Sequence, residues 1–360
     1  MGVLEDLRSV AYALARFTGF ASNAFLFGLV PVTLLVLRPS FRGLDGAQWA
    51  RGRARVAGRL EGFAQAALIA SASATAIALL LQALLVAQIR REPLDMASFT
   101  SSLETSFGQW YLLRFPLLAG LAVVIVGKIR RALLRGAGDG EASPGRTWWV
   151  AWLAFGAALL ATSTFSGHAS VAEPRAVALL NDLVHLVAGS IWFAGIVILA
   201  VVLPDGWAGK GRARLDLLAP AVLRFSKVAI VAIAIVGATG TVNSLLDVGA
   251  FNDLVDTAYG RIVASKIALF LIVLVLGGVN HFFLRARLER ARADGSSSTA
   301  PSLFRRTIAA ELVVALGLMG LSGVLVGQAR TKDEVVGTPP GPGPDAGARS
   351  SSGVSSLRRP

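Results

Sequence analysis

The sequence predicts an all-α fold: a polytopic membrane helix bundle of about eight transmembrane helices, with both termini outside. Three observations carry this. The 360 residues are 54% apolar and only 16% charged, with mean hydropathy +0.63, against about 45–50% and about 25% in soluble domains. Apolar runs of about 20 residues, the length that crosses a bilayer, recur along the chain. Lys and Arg alternate strictly between successive loops. This composition excludes an ordinary soluble enzyme and a disordered chain. The absence of Cys excludes a disulfide scaffold and thiolate-ligated zinc or iron–sulfur sites. The net charge of +13 does not indicate nucleic acid, because the basic residues sit between apolar runs and form no single stripe.

In order, the spans are Val10–Leu37, Gly62–Gln88, Trp110–Val126, Trp148–Phe165, Val177–Leu203, Val222–Leu246, Tyr259–Leu284 and Thr307–Gly327. Arg16 and Pro31 interrupt the first. It still exceeds a signal-peptide core, and Glu5 and Asp6 spoil a signal peptide's basic start. It therefore reads as a retained helix. The loop Arg90–Gln109 has room for a short helix on the outer surface. No internal repeat is visible.

Arg38–Glu61 carries six Lys and Arg, Lys128–Arg146 five, Pro204–Lys227 five and Arg285–Arg306 six, or 22 together. The intervening loops carry Arg90, Arg91, Arg175 and Arg261. The basic loops should face the cytoplasm, and both termini the periplasm of a bacterial inner membrane. The chain divides into an N-terminal three-helix membrane segment (1–146), a five-helix membrane core (147–328) and a disordered periplasmic tail (329–360). The Gly, Pro and Ser of Thr331–Pro360 mark that tail, and Arg292–Ser302 reads as a flexible loop tip.

An ionisable group at the centre of a membrane helix costs about 2.5–3.5 kcal/mol on insertion scales, so each one is a functional hypothesis. The fifth span reads NDLVHLVAGSIWFAG. Asp182 and His185 are three apart and share a face, continued by Gly189 and Trp192. His185 lies roughly 12 Å below the outer helix end. His168, in the loop before this span, can approach it. A carboxylate beside a histidine fixes its tautomer and raises its basicity as a ligand. Imidazole suits copper, zinc, iron and nickel. His168, His185 and Asp182 are thus a candidate outer metal site, with an Asp–His bond that only locks helix packing as the alternative.

Gly240, Asn243, Ser244 and Asp247 share one sector of the sixth span, which reads equally as a packing face with a capped end. Tyr259, Lys266, Gly277, Asn280 and His281 lie on one broad face of the seventh. Lys266 is deep enough to need a partner or an interfacial escape. His281 lies near the cytoplasmic end, as an interfacial residue or a second, inner-side ligand, and a contact with Glu311 of the eighth span is an open option. Met319 reads as core packing and Met96 as an outer-loop residue. No P-loop, HExxH or GxSxG motif is present.

Several segments occur in a telling order: Gly167-His168-Ala169; Asp182-x-x-His185-Leu186 with Ile191-Trp192-Phe193-Ala194-Gly195; Arg224-Phe225-Ser226; Thr239-Gly240 with Asn243; Thr257-Ala258-Tyr259-Gly260-Arg261 leading to Lys266; then Asn280 and Glu311. Together they resemble the copper resistance protein D (CopD) family of bacterial inner-membrane proteins, over roughly Thr164–Leu325. The first three helices match it only in general character. Ala194 stands where the family has Gly in a Trp-x-Gly-Gly pattern, a change that should alter packing more than chemistry. No fused periplasmic copper-binding domain is read here, and His and Met are scarce. The resemblance implies copper, as Cu(I) or Cu(II), as the ion handled. It implies movement from periplasm to cytoplasm, with export and sensing left open, and a separate periplasmic copper-binding protein as partner. On this reading Trp192, Asn243, Tyr259, Lys266, Asn280 and Glu311 line or pack the pathway.

Two other classes compete. A haem- or quinone-linked electron-transfer protein would use axial His, yet three histidines cannot ligate two bis-His haems. His185 and His281 also lie more than about 15 Å apart in depth. A non-catalytic assembly or scaffold protein would use the polar pairs only to hold the bundle. Asp182 and His185 form an acid–base pair on paper, but no nucleophile accompanies them, and the chain reads as a non-enzyme.

Overall fold

The computed structural model describes residues 2–41, 47–91, 93–126, 129, 145–203, 212–284, 290 and 300–326. The expected tail from Thr331 lies outside them, as does the expected loop tip up to residue 299; its last residues, 300–302, begin the helix Ala300–Leu325 instead. Among the described residues the chain is helical, without strands. Eight helices are long and apolar enough to cross a membrane: Leu7–Ser40, Ala50–Arg90, Ser106–Ile125, Arg146–Phe165, Arg175–Val202, Ala219–Asp247, Ala258–Phe283 and Leu303–Leu325. They are numbered one to eight below, and the face where span one begins is the N-side face.

Each predicted span is present, and the differences lie at the ends. Span two starts well before the predicted Gly62. Ala47–Glu61 is rich in Ala and Arg, good helix formers that an apolar-run criterion passes over. Val56, Ala57 and Leu60 there are fully buried. Pro31 does not break span one. The helix runs through it to Val32, widens into a π-helical turn at Thr33–Leu37 and closes with Arg38–Ser40. A proline removes one backbone donor, and local π adjustment is a recognised remedy within a membrane helix. Similar π-helical turns close spans five (Ile198–Val202) and seven (Asn280–Leu284), all at the face opposite the N-side.

Span one is the hub, packing against spans two, four, five and eight. Its contact with span five is backbone-close. A Cβ on Gly28 would lie 2.1 Å from the Ser190 carbonyl oxygen and 2.7 Å from the Ala194 Cβ. One on Gly195 would lie 1.9 Å from the Phe225 ring of span six. Small residues let membrane helices approach this closely, where dispersion replaces the hydrophobic drive. Span four is pinned by two tryptophans: Trp152 Nε1 donates to the Leu26 carbonyl (3.0 Å) and Trp148 Nε1 to that of Val124 (2.7 Å). Spans six and seven instead turn Ile230, Val231, Leu271, Ile272 and Val275 outward, as lipid-facing helices do.

Arg90–Gln109 does carry a short helix, Met96–Glu104. Asp95 caps it, accepting from the Ser98 N–H at 2.9 Å. That backbone bond, with the Ser98 hydroxyl, holds the Asp95 carboxyl below the usual range. Met96 is exposed, whereas Met319 packs against the core.

Candidate metal site at the N-side face

The loop after span four folds back over the bundle. Ser166 Oγ donates to the Thr162 carbonyl (2.7 Å), closing the helix end. A single 3₁₀ turn, His168–Ser170, then carries His168 inward. Its Nε2 lies 3.3 Å from the Leu325 carbonyl at the end of span eight, and its ring meets Tyr259 edge-on at 5.8 Å. Tyr259 is 1% exposed and its hydroxyl donates to Asp247 Oδ2 at 2.9 Å. Thr257 starts span seven by accepting from the Gly260 N–H (2.9 Å). Spans four to eight thus contribute to one polar layer near the N-side face.

Asp182 and Lys266 lie at its centre. Asp182 is half-buried, bordered by Thr164 and within electrostatic reach of Lys266, Asp247 and His168. Counted from their N-side helix ends, Asp182 and Lys266 are both about 10–12 Å deep. Asp182, Asp247 and Lys266 thus bring acidic and basic side chains of spans five, six and seven within electrostatic reach of one another. The Thr164 hydroxyl, on a side chain 2% exposed, borders Asp182 without a hydrogen-bond partner of good geometry.

His185 turns away from Asp182. Its Nδ1 lies 2.9 Å from Thr239 Oγ1 in span six, and its ring packs over Gly240. Thr239 spends its only hydroxyl proton on the Ile235 carbonyl (2.6 Å). The His185 contact is therefore an Nδ1–H donation, and Nε2 keeps its lone pair. By the same reasoning a carbonyl can only accept, so His168 Nε2 donates to Leu325. Both imidazoles are thus oriented through one ring nitrogen, as histidine ligands in metal sites are. Asn181 braces this layer, donating to the Thr239 carbonyl (2.9 Å) and Asn243 Oδ1 (2.7 Å).

The three predicted ligands therefore share a region but not a point. His168 and Asp182 are neighbours, while His185 belongs to the span-six contact one turn deeper. Among the described residues no three His, Asp or Glu side chains are grouped closely enough to hold an ion. Trp192 is buried in the core below the site. At the opposite face, His281 Nδ1 pairs with Ser226 Oγ (2.7 Å) and Glu311 accepts from Asn280, whose Oδ1 accepts from Thr307 (2.5 Å). The optional His281–Glu311 contact is thus replaced by two separate pairs, because the consecutive side chains 280 and 281 diverge around the helix, to spans eight and six. Sequence reasoning gave no site role to Thr164, Thr239, Asn181 and Ser226, although Thr239 and Ser226 fall within the motifs that carry the family resemblance. Neutral hydroxyls and amides cost little to insert, so composition does not single them out.

Two family models match the chain: "Copper resistance protein D-like, N-terminal domain" over residues 5–178, and "Copper resistance protein D" over residues 219–325. The chain belongs to the copper resistance protein D family. The first match runs through span four and the second covers spans six to eight. Residues 179–218, with Asp182 and His185, fall between them. Among named relatives, the copper transport protein CutJ of Bacillus subtilis (strain 168) is 32% identical over 52% of this chain and 32% of its own. Copper resistance protein D of Pseudomonas syringae pv. tomato is 28% identical over 62% of this chain and 69% of its own. The matched stretch thus spans about a third of the first relative and about two thirds of the second. No solved structure matches this copper resistance protein D family member.

Proposed function

We propose that this protein moves copper across the bacterial inner membrane, from periplasm to cytoplasm, as a non-enzymatic transporter in copper homeostasis. Copper is its cargo. The observation that carries the reading is the polar layer of spans four to eight. It combines two hydrogen-bonded imidazoles with the side chains of Asp182, Asp247 and Lys266, in a family named for copper resistance. His168 and Asp182 capture the ion at the N-side face, and His185 takes it one turn deeper. Asn243, Tyr259 and Lys266 line the layer. Asn280, His281 and Glu311, at the opposite face, lie where the ion would leave. With no thiolate in the chain, the ligands are few and borderline in softness, which suits capture and release more than storage. A periplasmic copper-binding protein is the natural donor.

Metal content of the purified, copper-exposed and washed protein tests the site. The parent should retain copper, and His185→Ala should lose most of it. Equal copper in both would remove His185 from the pathway. Iron in place of copper would favour the haem reading.

The orientation is testable because the chain has no cysteine. Met96→Cys, at an exposed position, should react with a membrane-impermeant maleimide added outside intact spheroplasts. Arg290→Cys, also exposed, should react only after lysis. The reverse pattern would invert the proposed direction.

A further inference from the structure

A second charged site lies outside the copper layer, between spans one to four. Arg16 and Arg114 are 8% and 2% exposed. Each is about 12–14 Å below the N-side end of its own span, so they share one layer. Arg16 stacks its guanidinium on Tyr12 (3.9 Å to the ring centroid) and Arg114 on Tyr111 (3.7 Å). Both charges act on the same Tyr12 hydroxyl, which itself donates to Gln82 Oε1 at 3.0 Å. Arg114 Nε donates to Thr162 Oγ1 (2.8 Å) and a terminal nitrogen to Ser163 Oγ (3.1 Å). Arg16 Nε is enclosed with no acceptor at all.

Among the described residues neither guanidinium is paired with a carboxylate. Two like charges in one buried layer repel, and inserting a charged side chain at a helix centre is costly. A cation–π contact returns only part of that cost. The missing partner is an anion. Arginine's planar fork matches a tetrahedral or planar oxyanion. A satellite apolar cluster of Ala15, Ala78, Leu79 and Tyr111, bordered by Leu103 and Phe107, adjoins the pair.

We propose that Arg16 and Arg114 form a phosphate-oxyanion site at the N-side of spans one to four, filled by the phosphate of an anionic lipid headgroup or by free phosphate. The site is independent of copper. One link is physical: Thr162 and Ser163 hold Arg114, and the next residue, Thr164, borders Asp182.

The test uses the full chain in lipid nanodiscs, reading thermal unfolding and, by native mass spectrometry, the phosphate-bearing molecules retained. The probes are inorganic phosphate in phosphatidylcholine discs and phosphatidylglycerol mixed into those discs. The parent should be stabilised saturably, with one ligand per chain. Arg16→Gln and Arg114→Gln should each weaken apparent affinity about tenfold or more, the worth of one charge-assisted hydrogen bond. Arg8→Gln, at the exposed helix start, should not. Stabilisation by inorganic phosphate identifies a free anion, and stabilisation only by phosphatidylglycerol a headgroup. If both Gln variants fail to insert, saturable one-to-one binding by the parent still supports the site. No stabilisation of the parent, unsaturable binding, or an unchanged response in folded Gln variants overturns it.

Discussion

Asp182→Asn is expected to reduce copper retention by roughly thirty-fold. Unit charges interact with about 4 kcal/mol at 4 Å when the effective dielectric constant is about 20, and about 2 kcal/mol survives at twice that distance. This corresponds to roughly thirty-fold in affinity. The substitution removes the carboxylate that lies within electrostatic reach of Lys266. Lys266→Met should act in the opposite sense, raising retention by removing the built-in competing cation. The double variant separates two roles for Asp182. Retention restored to the parent level means that Asp182 acts through charge alone, and retention still lost means that it is a ligand. Copper per chain, measured after membrane insertion has been verified, reads all three. Parent-level copper in both single variants would rule out the electrostatic account.

Gly28→Ala should be among the most damaging single methyls added to the bundle. Its Cβ would sit 2.1 Å from the Ser190 carbonyl oxygen, and a helix backbone cannot step aside as a side-chain tip can. Overpacking a core costs typically about 1–3 kcal/mol. Here the contact joins the hub helix to span five, so the cost should lie at or above the top of that range. Gly19→Ala serves as the control, since its nearest neighbour, Ala74 Cβ, is 3.9 Å away. Thermal unfolding in detergent should show a large drop for Gly28→Ala and little change for Gly19→Ala. Equal midpoints would mean that spans one and five do not pack this closely. Ala194, which departs from the family's glycine, faces this contact, in keeping with a packing role.

All eight spans were legible because hydropathy and loop charge are collective signals averaged over about 20 residues. Their ends were less so. Ala47–Glu61 is helical by propensity without being apolar, and Pro31 is absorbed by the π-helical turn behind it. The histidines and carboxylates of the N-side layer were legible because ionisable groups are rare within a bilayer. Their partners were not. The i, i+3 spacing of Asp182 and His185 puts them on one face, yet cannot say that Thr239 would take His185 while Asp182 faced Lys266. Asp247 reads as an end cap in sequence and becomes a member of the layer only when span seven brings Tyr259 to it. Arg114 was as visible as any other intramembrane charge. A search centred on metal-ligating residue types passes over it, because a guanidinium binds anions and not metals.

In the proposed function, copper crosses through the layer of spans four to eight. The most direct measurement is copper flux into sealed vesicles carrying the reconstituted full chain and a trapped copper-sensitive dye, beside protein-free vesicles and the Asp182→Asn and His185→Ala variants. Flux well above the protein-free rate in the parent, lost in both variants, is the predicted result. Parent flux no faster than protein-free vesicles, or undiminished flux in both variants, would contradict it.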